Sequence, residues 1–131
     1  MALQADHAHF APLTGAEFIV LTTYRRSGVA VPTPVWFAHV DGVLYVTTGA
    51  DAGKVKRLRA NPVVQVAASD RVGTVLGSAV AGHGRVLERD EEAVARTALQ
   101  QKYGAQFTTL TAQMDANRPP DSRIYLVIGP G

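Results

Sequence analysis

Residues 31–48 read VPTPVWFAHVDGVLYVTT. Asp41-Gly42 sits between two apolar runs, and this dipeptide supplies the positive φ angles that a two-residue hairpin turn demands. Val31 to Val40 and Val43 to Thr48 are therefore read as paired antiparallel strands, rich in the β-branched and aromatic side chains that suit a pleated surface. Pro32 and Pro34 interrupt the first of them. Proline has no N–H to give to a ladder, so this strand must have a free edge or a locally irregular stretch. A strand backbone left open in this way is a surface against which a ligand can lie.

Outward from the hairpin, Glu17 to Tyr24 (EFIVLTTY) reads as a preceding strand, closed by the polar break Arg25-Arg26-Ser27-Gly28. Residues 1–13 carry no period and include Pro12, so they are read as an arm. Downstream, Asp51 to Asn61 predicts a short helix that Asn61-Pro62 ends, because the residue before proline avoids the α region. Val63 to Ala68 is a fourth strand. Val75 to Glu88, holding Gly77, Gly82 and Gly84, reads as one long bent or bulged fifth strand. Asp90 to Tyr103 is the clearest helix. Asp90 is placed to cap it, Glu91 and Glu92 lie in its first turn and Lys102 in its last, all matching the macrodipole. Val94, Ala95, Ala98 and Leu99 form its apolar stripe, with the Lys102 stem snorkelling at the end. Gly104 stops it. Residues 105–122 show no clear element, NRPPDS reads as a loop, and Arg123 to Ile128 is a last strand. The expected architecture is a single domain over residues 1–131, mainly β with short helices: a small antiparallel barrel of six strands with helical caps.

The 131 residues are 47% hydrophobic and 18% charged, a globular composition. The absence of cysteine excludes disulfide scaffolds, zinc ribbons and thiol nucleophiles. No run is long and apolar enough for a membrane span, and MALQADHAHF has no secretory pattern, so a soluble cytoplasmic protein is expected. A formal charge of +2 does not point to nucleic acid. There is no P-loop, G-x-G-x-x-G, G-x-S-x-G or H-E-x-x-H. His7 and His9 form H-x-H without a third ligand nearby in sequence, so no metal site is expected. His39 and His83 are each compatible with a ligand contact or with an ordinary surface or core role.

Residues 49–62, GADAGKVKRLRANP, hold the densest positive charge. On a helical wheel Val55 and Leu58 share the core face, Lys54 and Arg57 lie together along one border, Arg59 lies on the other, and Lys56 points most directly to solvent. Two border cations beside the unpaired N–H groups of a helix N-terminus make an anion site. The competing reading is a solvated basic face. Small residues at Gly49, Ala50, Ala52 and Gly53 allow close approach to backbone, and Thr47 and Thr48 supply hydroxyls just before them. A second candidate element is Thr33-Pro34-Val35-Trp36, where amides beside Pro34 are available to a polar ring edge. Trp36 there offers either a flat ligand surface or a barrel-core side chain.

The succession LTT…G…VPTPVW, the DG hairpin, VTT, GKVKRLRANP and GHGRVLERDEE…KYG resembles the pyridoxamine-phosphate-oxidase-like split-barrel superfamily over roughly residues 10–104. It is most similar to the actinobacterial flavin/deazaflavin oxidoreductases described as F420-dependent. The resemblance implies a six-stranded split barrel that pairs as a homodimer with cofactor sites at the interface. It implies that Lys54 and Arg57, with Lys56 as a further candidate, hold a cofactor phosphate, that Thr47 and Thr48 lead into that site, and that the ring lies against Thr33, Pro34, Val35 and Trp36. The implied activity is hydride transfer between coenzyme F420 and an unsaturated or conjugated small molecule; water, Tyr24 and His83 are the candidate proton donors in this sequence. FMN or FAD, a haem-related ligand, or a non-catalytic cofactor-sequestering role are the alternatives on the same barrel. One departure is evident. Ala52-Gly53-Lys54 stands where the phosphate oxidases have Ser-Arg-Lys, which disfavours FMN and a vitamin B6 substrate.

Overall fold

A computed structural model describes residues 9–49, 53–115 and 123–130. Ala50, Ala52, His7 and the NRPPDS loop therefore lie outside the described residues. Six strands form a closed barrel: β1 (Phe18–Tyr24), β2 (Ala30–Val40), β3 (Val43–Gly49), β4 (Val63–Ser69), β5 (Val80–Val86) and β6 (Arg123–Gly129). Around the barrel the order is β1-β2-β3-β6-β5-β4, and every pairing is antiparallel. Among the described residues three α-helices accompany them: α1 (Gly53–Ala60), α2 (Glu92–Tyr103) and α3 (Ala105–Asp115). The fold is thus the expected mainly β, six-stranded antiparallel barrel with short helices. No helix among the described residues is long and apolar enough to cross a membrane.

Strand periodicity sorts the side chains into two apolar clusters. Ile19, Leu21, Val35, Phe37, Leu44, Val46, Val64, Val66, Ile124, Leu126 and Ile128 fill the interior. The outward residues Ala38 and Tyr125 instead pack beneath α2 and α3, against Leu87, Ala95, Ala98, Leu99, Tyr103 and Phe107. Two plugs complete the interior. Val55 and Leu58 of α1 enter the core, as the wheel predicts, and so do Phe10 and Leu13 from the arm. Residues 9–13 are thus part of the packed domain, and His9 Nε2 lies 2.6 Å from the carbonyl of Ala81. Space for both plugs comes from β5. A Cβ at Gly82 would meet the Gly129 carbonyl at 2.8 Å and come within 3.6 Å of the Phe10 ring, and one at Gly84 would meet Leu58 at 3.1 Å.

Several boundaries differ from the sequence expectation, each for a local reason. The fifth strand is shorter than Val75–Glu88. Asp70 Oδ1 accepts the amides of Val72 and Thr74 and bends the chain into a tight turn, with Gly73 at φ +93°. Val75 then makes only an isolated bridge to Ser69, and the β4–β5 ladder starts at Val66 opposite Val80. Asp90 is not the cap of the long helix. Glu88 and Glu91 cap each other across a 3₁₀ turn, Arg89–Glu91, and the α-helix begins at Glu92. Val94 is not in the buried stripe but 49% exposed, because α2 presents Ala95, Ala98, Leu99 and Tyr103 to the barrel. Finally, residues 105–115 form a helix that no apolar period announced.

Candidate functional site

The hairpin partners separate partway along their length. β2 pairs with β3 only from Phe37–Val46 to Val40–Val43. Beyond that point β2 stays with β1, through Phe18–Trp36 to Tyr24–Ala30, while β3 stays with β6, through Leu44–Ile128 to Gly49–Arg123. The barrel is split between residues 30–36 of one strand and 47–49 of the next. The prolines fit this opening. Both N–H and C=O of Phe37 meet the Tyr103 hydroxyl, which also donates to Glu17 O at the entry to β1. Phe37 therefore faces the β1 side, and alternation turns Val35, Thr33 and Val31 the same way. Pro32, Pro34 and Trp36 face the opening, so the missing proline N–H groups fall where no strand awaits them.

A cavity of about 200 Å³ occupies the split, lined by Pro34, Val35, Trp36, Thr47, Thr48, Gly49, Lys54, Phe107, Thr111 and Arg123. Most of the residues singled out from the sequence thus converge on one place, although they come from three separate elements. Trp36 is a cavity wall rather than a barrel-core side chain. It is half-buried on the outer face, with Tyr103 behind it at 4.2 Å between ring centroids and Phe18 edge-on at 5.9 Å. Lys54 is half-buried, and its amine is held below the ordinary lysine range first by desolvation and then by the neighbouring Arg57 charge.

Three expectations are redirected. Thr33 does not line the cavity. Lys56 is exposed and stands outside it. Arg57 turns away from Lys54's course, and its Nε donates to Thr23 Oγ1 at 2.6 Å, where Thr23 is fully buried. Of the considered proton sources, neither Tyr24 nor His83 lines the cavity. The second cation at the lining is instead Arg123, whose guanidinium donates to Thr47 Oγ1 at 3.1 Å while that hydroxyl donates to Ile124 O. Sequence reasoning missed it because Arg123 reaches Thr47 only through the β3–β6 register, 76 residues apart. It also missed Phe107 and Thr111, since β-branched threonines in QFTTLT mask a helix. Chemically, the lining combines two cations and three hydroxyls with an indole and a phenyl face. That donor set suits an anionic oxyacid group joined to a flat ring.

The family model for pyridoxamine 5'-phosphate oxidase matches residues 5–128. The chain belongs to that family. Solved structures agree on the fold. A conserved hypothetical protein, Rv2991, from Mycobacterium tuberculosis superposes with a TM-score of 0.65 at 21% identity, covering 95% of this chain and 78% of that one. General Stress Protein 26 of Bacillus anthracis gives 0.62 at 21%, covering 95% and 88%. HutZ, the heme storage protein of Vibrio cholerae, gives 0.62 at 15%, covering 100% and 92%. Identities this low carry the family's barrel and not its ligand. No protein of curated function matches the chain.

Proposed function

We propose that the protein is a coenzyme F420-dependent reductase that moves a hydride between the deazaflavin and an unsaturated or conjugated small molecule. The observation that carries this reading is the split itself. It sets the Lys54 and Arg123 cations, with the Thr47, Thr48 and Thr111 hydroxyls, beside the open edge of β2 and the Trp36 ring. A phosphate fits the cationic end, and the face of a tricyclic ring fits the β2 edge, where carbonyls and the Trp36 amide remain unpaired by strand. The deazaflavin, when bound, supplies the hydride chemistry. This chain's own residues do the rest: Lys54 and Arg123 anchor the anion, Trp36 and Phe107 exclude water from the ring, and Thr47 orients Arg123.

A cavity of about 200 Å³ holds only part of such a cofactor, so a second copy of the chain is proposed to close the other side. Exposed Val72, Val75 and Leu76 support that arrangement, because Val72 stands on the turn that Asp70 holds, Val75 and Leu76 follow it directly, and Gly73 of that turn lies beside Pro34 of the cavity lining, where an added Cβ would come within 3.6 Å of the proline ring. FMN would use the same anion anchor and is the nearest alternative ligand. Haem draws on HutZ, yet among the described lining residues none is a histidine. A purely sequestering role would show as binding without turnover.

The test is a titration of purified protein with F420 and with FMN, read by emission of Trp36, the single tryptophan. Saturable quenching by F420 at micromolar concentration is expected, followed by consumption of reduced F420 with members of an enone and quinone panel. Quenching by FMN alone would transfer the site to flavin. No response to either cofactor would refute the assignment.

A further inference from the structure

Arg57 lies beside the anion cavity without lining it, and three observations give it a different task. Its Nε donates to Thr23 Oγ1 at 2.6 Å, a hydroxyl with no solvent exposure on the inward face of β1. Its Nη1 lies 2.9 Å from where a Cβ on Gly53 would sit, so the guanidinium is laid over the first turn of its own helix, and a side chain at residue 53 would make its flexible end shift. Its charge is also near enough to Lys54, its neighbour on the same helix border, to disfavour the ammonium there.

We propose that Arg57 is a positioning residue: tethered to Thr23 and seated over Gly53, it fixes the first turn of α1 against β1 and directs Lys54 into the cavity. The need for such a tether follows from the helix. α1 has eight residues, too few to hold itself together in water, and no acid in its first turn to offset the cations at its positive end. Val55 and Leu58 anchor its core face but leave the cavity-side border unsecured. A guanidinium bonded to a buried hydroxyl secures that border, and its repulsion drives the Lys54 ammonium the other way, toward the split. Gly53 belongs to the same device, since a Cβ there obliges the end of the guanidinium to shift.

This inference rests on the anion site of the proposed function and is tested separately from it. Thr23→Val removes the tether without altering any charge, and Thr23→Ser keeps the hydroxyl. FMN and F420 serve as probes, read through Trp36 emission, and the Lys54 side chain is titrated by NMR in each variant. Losing a charge-assisted hydrogen bond that positions the anchor should raise the dissociation constant about tenfold in Thr23→Val, and by less in Gly53→Ala, which only makes the guanidinium end shift. Thr23→Ser should bind like the parent. Gly53→Ala should add nothing in an Arg57→Gln background, because its effect is spent through Arg57. The Lys54 titration should move up toward the ordinary lysine range in Arg57→Gln and Thr23→Val. Parental affinity in Thr23→Val, or additive losses in the double variant, would overturn the inference and make Arg57 either a direct ligand or a bystander. If the parent protein binds neither probe, the proposed function fails, and the Lys54 titration in the charge-neutral Thr23→Val decides alone: an unmoved midpoint there sinks the positioning role, whatever Arg57→Gln does by loss of charge.

Discussion

At the scale of single residues, Lys54 and Lys56 are two positions apart and do unlike things. Lys54 is half-buried at the cavity, and Lys56 is in solvent. Reversing the charge at Lys54 should weaken binding of a phosphorylated ring by about a hundredfold, whereas Lys56→Glu should cost under about threefold, since a screened surface charge contributes little. Equal losses in a fluorescence titration would contradict the assignment. The lowered pKa of Lys54 sets the sign of the pH effect. As pH rises, the amine loses its proton earlier than an ordinary lysine, so anion binding should fall on the alkaline side before free lysines titrate. Tyr103 makes a second residue-scale case. Burial pushes its hydroxyl up to about 12, so it stays protonated and keeps bridging Phe37 and Glu17. Tyr103→Phe strands the buried Phe37 amide and should cost about 1–3 kcal/mol in denaturant unfolding. Between pH 10 and the raised folded value, an unfolded tyrosine ionises while the native one does not. The stability that Tyr103 contributes is therefore lost across that window, and Tyr103→Phe should flatten this part of the alkaline decline.

At the scale of elements, the inward glycines of β5 set how tightly the plugs seat. Gly82→Ala drives a methyl into the Gly129 carbonyl, which cannot step aside, while Gly84→Ala meets only the end of Leu58. Thermal melts should show a loss of about 1–3 kcal/mol for Gly82→Ala and clearly less for Gly84→Ala, with Leu58→Val relieving the latter. Elements with strong local signals were legible in the sequence. The Asp41-Gly42 turn has both residues at positive φ, 52° and 82°, and the wheel placed Val55 and Leu58 inward at 1% and 3% exposure. What could not be read depends on distant partners. Arg57's direction is set by Thr23, 34 residues earlier, and Arg123's by a register with β3 that brings it to Thr47, 76 residues earlier. α3 owes its place to a Gly104 break and to Phe107 packing at 4% exposure on the outer cluster, neither of which leaves an apolar period.

At the scale of the whole molecule, Val72 on the Asp70 turn and Val75 and Leu76 just after it are 81%, 55% and 66% exposed. Light scattering should return a dimer for the parent protein. Leu76→Asp should shift it toward monomer and weaken cofactor binding, although residue 76 lies outside the cavity lining. A monomeric parent with full affinity would disprove the proposed shared seam.

The strand order has one more implication, for biosynthesis. β6 is synthesised after the other five barrel strands, yet it is wedged between β3 and β5. Until it arrives, the nascent chain carries two unpaired strand edges and an open hydrocarbon interior, the state most prone to sticking to its neighbours. Premature stop codons upstream of Arg123 should therefore yield inclusion bodies rather than a shortened soluble barrel, because the stave that seals the cask is also the final one cut.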